Sequence, residues 1–110
     1  VARVNVPVTS ITRTGVVAPS ETSGDAGNGN SVANNGSILI EVRNSNGSAT
    51  TRTLSISFPT TVDGQAVVAK TYPIAAGVTK RIGPFPTKDY GTTLQLDPDH
   101  ADLKLLAWRL

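Results

Sequence analysis

With no cysteine among its 110 residues, the chain can form neither a disulfide nor a Cys-ligated zinc site, a composition suited to a reducing compartment. Its net charge of +2 comes from basic residues set apart along the chain, with Lys80-Arg81 as the only adjacent pair. One Trp, two Tyr and two Phe do not interleave with them, so no nucleic-acid surface is expected, and no apolar run nears the roughly 20 residues that span a bilayer.

The length is that of one domain, 1–110, able to bury roughly 60–65% of the surface its unfolded chain exposes. No secretory signal pattern is present. The chain also lacks Met, and Val1 is small enough for ordinary removal of an initiator Met. Thr, Val, Ser, Gly and Asn abound while Glu and Gln are scarce, which favours strands and turns over helices.

Val4, Val6 and Val8 alternate with Arg3, Asn5 and Pro7, the period of a strand. Pro7 cannot donate to a ladder, so this strand belongs at an edge or a strand end. Ile11, Arg13, Val16 and Val17 follow without a clear period. Residues 18–35 are dominated by Gly, Asn and Ser, with Val32 the one sizeable apolar side chain. A loop this long in a small domain is usually functional or disordered. Residues 9–35 are therefore expected to form an extended arm held by another protein chain. The alternative is a compact loop folded back on its own domain.

The centre of the chain carries the strongest pattern. In 37–43, Ile38, Ile40 and Val42 alternate with Leu39, Glu41 and Arg43, and Leu39 interrupts the polar row, which predicts partial cover on that face. In 53–58, Leu54, Ile56 and Phe58 share one side. Asn46-Gly47 lies between the two runs and predicts a β-hairpin. Asp63-Gly64 marks a turn, 66–72 and 78–82 read as strands, and the two prolines around Phe85 fix an extended segment. A short strand at 93–96 ends in the turn 97–100. In the last run Leu103 and Leu105 share one phase while Leu106, Trp108 and Leu110 share the other. Either a bulge switches phase or both faces are covered.

About seven short strands with turn signals between them predict an all-β fold, a single antiparallel β-sandwich of immunoglobulin-like or jelly-roll-like type. The expected core is Ile38, Ile40, Val42, Leu54, Ile56, Phe58, Val78, Ile82, Leu94 and Leu96.

Chemistry is sparse. A catalytic site needs converging groups of matched acidity, and the chain has one His, no Cys and eight scattered acids. No Gly-x-Ser-x-Gly elbow or phosphate-cradling Gly-rich loop is present. His100, in a Pro/Asp turn, is expected to be exposed or to cap. Asp97-x-Asp99-His100 offers metal ligands in an awkward local spacing, and Asp25-x-x-Asn28-x-Asn30 lacks the terminal Glu of a calcium loop. Asn35-Gly-Ser37 and Asn46-Gly-Ser48 fit the glycosylation sequon, and Asn-Gly turns explain both. No catalytic residue, cofactor or metal site is expected. Tyr72, Phe85, Tyr90 and Trp108 leave one other reading open, a sugar-stacking platform on a carbohydrate- or host-surface-binding module.

Four stretches carry a resemblance: 2–8, 24–36, the run Gly77-Val78-Thr79-Lys80-Arg81-Ile82-Gly83-Pro84-Phe85, and the ending 102–110. Together they resemble small structural proteins of tailed bacteriophages infecting actinobacteria, of the kind that decorate the capsid. The resemblance implies a β-sandwich on the outside of the virion, bound to the lattice of the major capsid protein and stabilising it against packaged DNA, assembled in the host cytoplasm. It implies no catalysis, no direct nucleic-acid contact and no membrane. Self-association is expected too, with trimers suiting quasi-threefold positions, and necks and tails are the other virion sites of such domains. The expected partner-binding residues are Val4, Val6, Val8, Ile11, Arg13, Val16, Val17, Val32, Trp108 and Leu110.

Overall fold

A computed structural model describes residues 3–59 and 61–109. Leu110 lies outside the described residues. In chain order the elements are β1 (Val4–Asn5), β2 (Val8–Ser10), β3 (Thr22–Ser23), β4 (Asn30–Ala33), β5 (Ile38–Asn44) and β6 (Arg52–Ser57). Then come β7 (Thr61–Val62), β8 (Gln65–Ala66), β9 (Lys70–Ile74), β10 (Thr79–Ile82), α1 (Thr87–Tyr90), β11 (Thr93–Pro98) and β12 (Leu103–Arg109). The all-β class follows.

One sheet runs β1-β4-β11-β6-β9 and the other β10-β5-β12-β2, with β3 also paired to β12. β7 and β8 form a separate hairpin around Asp63 and Gly64, whose φ values of 52° and 75° suit a tight two-residue turn. One cluster of buried side chains is shared by both sheets: Leu54, Ile56, Leu94 and Leu96 come from the first, Ile38, Ile40, Val42, Leu103 and Leu105 from the second. Removing each such side chain from water contributes about 1.5–3 kcal/mol.

The count of about seven strands becomes twelve among the described residues, and the sheets are mixed rather than antiparallel throughout. β1 runs parallel to β4, and β2 runs parallel to β12. The strand expected over Val4 to Val8 divides at Val6-Pro7, and its two halves close the edges of different sheets. Val6 sits at the crossing, 1% exposed, with its N–H on the Ser31 carbonyl at 2.8 Å. It is a core residue, which corrects its assignment to a partner surface. Arg3 pins this crossing from outside, donating to the Asp97 carboxylate at 2.8 Å and to the Leu96 carbonyl at 3.1 Å. Gly29 passes beneath that guanidinium at φ 79°, where a Cβ would collide with it.

The expected hairpin between the two central runs does not form, because β5 and β6 belong to different sheets. Asn44 directs the crossing. Its buried amide donates to Ile74 O at 2.8 Å and Thr50 O at 3.0 Å, and its Oδ1 accepts the Asn46 N–H at 3.0 Å. Asn46 Oδ1 in turn accepts the Ser48 N–H at 2.7 Å. Two successive Asx turns thus carry the chain over the end of the core, and Gly47 takes no positive φ.

The arm expected over 9–35 is corrected in the same way. Residues 30–33 are a strand flanked on both sides, by β1 and β11, and Val32 is fully buried. Val32 is therefore core rather than partner surface. Thr22 and Ser23 pair with β12, which leaves residues 11–21 outside regular structure. Val78 is 39% exposed because it lies in the turn before β10, with its N–H on Ala75 O, and Phe58 and Ile82 are half-buried rather than central. Ile74, Phe85, Leu103, Leu105 and Ala107 fill the core in their place.

β12 pairs with β5 in unbroken register from Leu103↔Asn44 to Arg109↔Ile38. No bulge intervenes. Leu106, on the outward row, is only 6% exposed, so the outer face of this sheet is covered over part of its length.

Candidate functional site

The segment 11–21 lies over that face, and it frames an apolar hollow on the second sheet. Leu39 on β5 and Trp108 on β12 face each other in register, and with Ile11 and Val16 they line a shallow hollow of about 320 Å³ that Glu41 and Arg81 bound on one side. Ile11 and Val16 are 43% and 42% exposed, and Val17 beside them is 89% exposed.

Local bonding fixes this loop. The Ile11 N–H reaches the Arg109 carbonyl at 2.8 Å, extending the β2–β12 ladder by one residue. A tight turn follows: the Gly15 N–H meets Thr12 O at 3.0 Å, Thr12 Oγ1 donates to Gly15 O at 3.1 Å, and Gly15 takes φ 92°. Arg13 sits exposed in that turn. At the far end, Arg43 grips the Glu21 carboxylate through two nitrogens, at 2.7 and 3.0 Å. Arg109 and Arg43 lie near opposite ends of the paired strands β12 and β5. The loop is thus tied to its own sheet at both ends, where another chain had been expected to hold it.

Of the ten residues expected at a partner surface, Ile11, Val16 and Trp108 converge here, with Arg13 and Val17 on the same loop. Val4 is 41% exposed on β1, at an edge of the other sheet. Val8 is half-buried and packs against the core. Leu39 is the member that sequence reasoning left out, although its intrusion into a polar row was the visible signal.

Three carboxylates are held below their ordinary range. Hydrogen bonding to Arg43 lowers Glu21; the Asn28 N–H, with the Asn28 amide and the Gly27 N–H, lowers Asp25; and Asn46, with His100 and Arg52, lowers Asp102. Lowered folded-state values stabilise the fold fully above the ordinary values of 4.5 for Glu and 3.8 for Asp, and that contribution is lost as pH falls through the folded values. The melting temperature should be flat from pH 7 to about pH 5 and fall below about pH 4, with Glu21→Gln removing part of the slope. A melt insensitive to pH down to 3 would show that these contacts do not persist in solution.

The residues of the two patterns weighed as metal ligands are engaged by their own surroundings. Asp25 Oδ1 accepts the N–H groups of Gly27 and Asn28 at 3.0 and 2.9 Å, and Asn30 is buried, bonded to the Asp25 N–H. Asp97 is engaged by Arg3 and by the Ser57 hydroxyl. No group of three or more His, Cys, Asp or Glu is placed to hold a metal among the described residues. His100 is exposed, and its Nδ1 accepts the Asp102 N–H at 3.0 Å, a turn-closing role.

The four aromatics of the sugar-platform reading do not share a face. Phe85 is 2% exposed in the core, and Trp108 lies in the apolar hollow. Tyr72 and Tyr90 do meet, in a groove of about 650 Å³ where β9 and β10 form the outer edges of the two sheets. No protein-family model, no curated protein and no solved structure matches this chain.

Proposed function

We propose that this chain is a structural protein of a tailed-phage virion, a decoration protein that binds the major capsid protein lattice from outside and stabilises the head. The observation that carries the reading is the apolar hollow of Ile11, Val16, Leu39 and Trp108, held on a sheet whose covering loop is bonded at both ends. Half-buried aromatic anchors with aliphatic neighbours are the usual centre of a protein interface. Contact with sister copies would use the same face or the Val4 edge.

The finer fold reading supports this. Eight strands run β3-β12-β5-β10 and β4-β11-β6-β9, and the chain crosses between sheets at every connection except β6 to β9. We read that order as a jelly-roll sandwich, an architecture common to viral capsid and lectin domains. Fold-level analogy of this kind raises the prior for a capsid role without assigning one.

The test is cosedimentation with capsids lacking the protein, prepared at precursor and expanded stages. Saturable binding to expanded capsids is expected. Val16→Asp, on an exposed loop position, should weaken that binding about tenfold or more while leaving the melting temperature within about 2 °C. Undiminished binding by the variant would move attachment off this face, and no binding to either capsid form would move the protein to a neck or tail.

A further inference from the structure

The N-terminal strands close one side of the fold. β1 occupies the edge beyond β4, and β2 and β3 occupy the edge beyond β12. The opposite side is left to β9 and β10, the last strands of their sheets, and the groove of about 650 Å³ opens between them. That volume falls in the range of small-molecule and saccharide sites. Lys70, Lys80 and Arg81 line it together with Tyr72, Tyr90 and Asp89.

The lining is organised before any ligand arrives. The Tyr90 ring lies 4.7 Å from Phe58 and 5.1 Å from Phe85, edge-on to the latter, and Phe85 is itself core. The Lys70 ammonium stands 5.6 Å above the Tyr72 ring. Lys80 spends one of its three donors on Pro73 O at 2.8 Å, and Arg81 Nε is set by Glu41 at 2.8 Å. Burial raises the pKa of both tyrosines, so their phenols remain donors at neutral and mildly basic pH.

Three kinds of occupant can be compared with this lining. An added β-strand is disfavoured: Lys70 and Lys80 pair with Ile56 and Val42, whose side chains point into the core, so both edges carry inward-row lysines, and Pro73 sits in β9. Inward charges and proline are the devices that block edge-to-edge pairing. A nucleic-acid strand wants a continuous basic track and successive stacking rings, whereas this groove has two half-buried rings and a carboxylate on its wall. A sugar acid matches all of it. Its carboxylate meets the cations, its hydroxyls find both acceptors and donors in Asp89 and the phenols, and its ring faces pack on tyrosine.

We propose that the β9–β10 groove binds a carboxylate-bearing oligosaccharide, at a site that shares only Arg81 with the apolar hollow on the second sheet. The test titrates the full chain by calorimetry with tetragalacturonate and a hyaluronan tetrasaccharide, beside neutral cellotetraose and an eight-residue oligothymidylate. At least one acidic saccharide should bind saturably, roughly tenfold more tightly than cellotetraose and than the oligothymidylate. Lys70→Ala, an exposed position, and Tyr72→Ala should each weaken it about fivefold or more, with Lys70→Ala melting as the unsubstituted chain does. Val16→Asp should leave it unchanged. Failure of both acidic saccharides to bind, equal affinity in Lys70→Ala, or tighter binding of the oligothymidylate would each overturn the proposal. Neither capsid result bears on it, so the two readings fail separately.

Discussion

Deleting residues 18–35 is expected to abolish the cooperative thermal transition followed by circular dichroism. The segment reads as a dispensable polar arm, yet it contributes β4, which bridges β1 and β11. Its loss removes the buried Val32 and strips the inner strand β11 of one neighbour. It also removes Asn34, whose amide donates to Phe85 O at 3.1 Å and Gly91 O at 2.9 Å, tying the loop around α1 to the core. Opening the core beside β11 to water forfeits about 1.5–3 kcal/mol for each large apolar side chain it uncovers, against a total stability of about 5–15 kcal/mol for a domain of this size. A variant that still melted cooperatively near the original temperature would show that β4 is not part of the cooperative unit.

Ile40→Asp is expected to be nearly as severe. Ile40 is fully buried, flanked in register by Ile82 on β10 and Ala107 on β12. A carboxylate there has lost a packed side chain and gained a charge with no partner, two of the mechanisms behind the largest single-residue effects. A loss above about 4 kcal/mol is expected, most of the stability of a domain at the lower end of the usual range. Urea unfolding decides it, and an unchanged midpoint would place the Ile38-Ile40-Val42 row on the outside. Glu41→Ala, one residue along on the half-buried outward row, provides the matched control.

What the sequence made legible was period. The alternation in 37–43, 53–58 and 93–96 put Ile38, Ile40, Val42, Leu54, Ile56, Leu94 and Leu96 in the core, where they lie, because a period of two depends only on neighbours along one strand; in 103–110 two phases were visible and neither was assigned to the core. Connections were read less well. Asn46-Gly47 looks like a hairpin turn, but the amide of Asn44 finds its partners in Thr50 and Ile74, and those bonds to residues distant in sequence decide which sheet receives the next strand. Asn30 and Asn34 are buried, so a run rich in Asn was taken for an extended arm when two of its amides are interior bridges. Flanking prolines fix the backbone of Phe85 but say nothing of where its ring goes, and the ring lies in the core. At the candidate interface Ile11, Val16 and Trp108 were legible as apolar residues without a strand or core to own them. Leu39 needed the register with Trp108 to be seen as their neighbour.

The division of the first strand between two sheets has a kinetic consequence. Residues 8–10 pair with 107–109, so a ladder near one end of the chain waits for residues about a hundred positions later. Topologies dominated by such distant pairings fold slowly, in milliseconds to seconds. On the ribosome, the apolar hollow cannot exist while β12 is still in the exit tunnel, because Trp108 supplies its floor and the Arg109 carbonyl holds Ile11 in place. A nascent chain therefore cannot assemble the hollow until the sheet beneath it is complete.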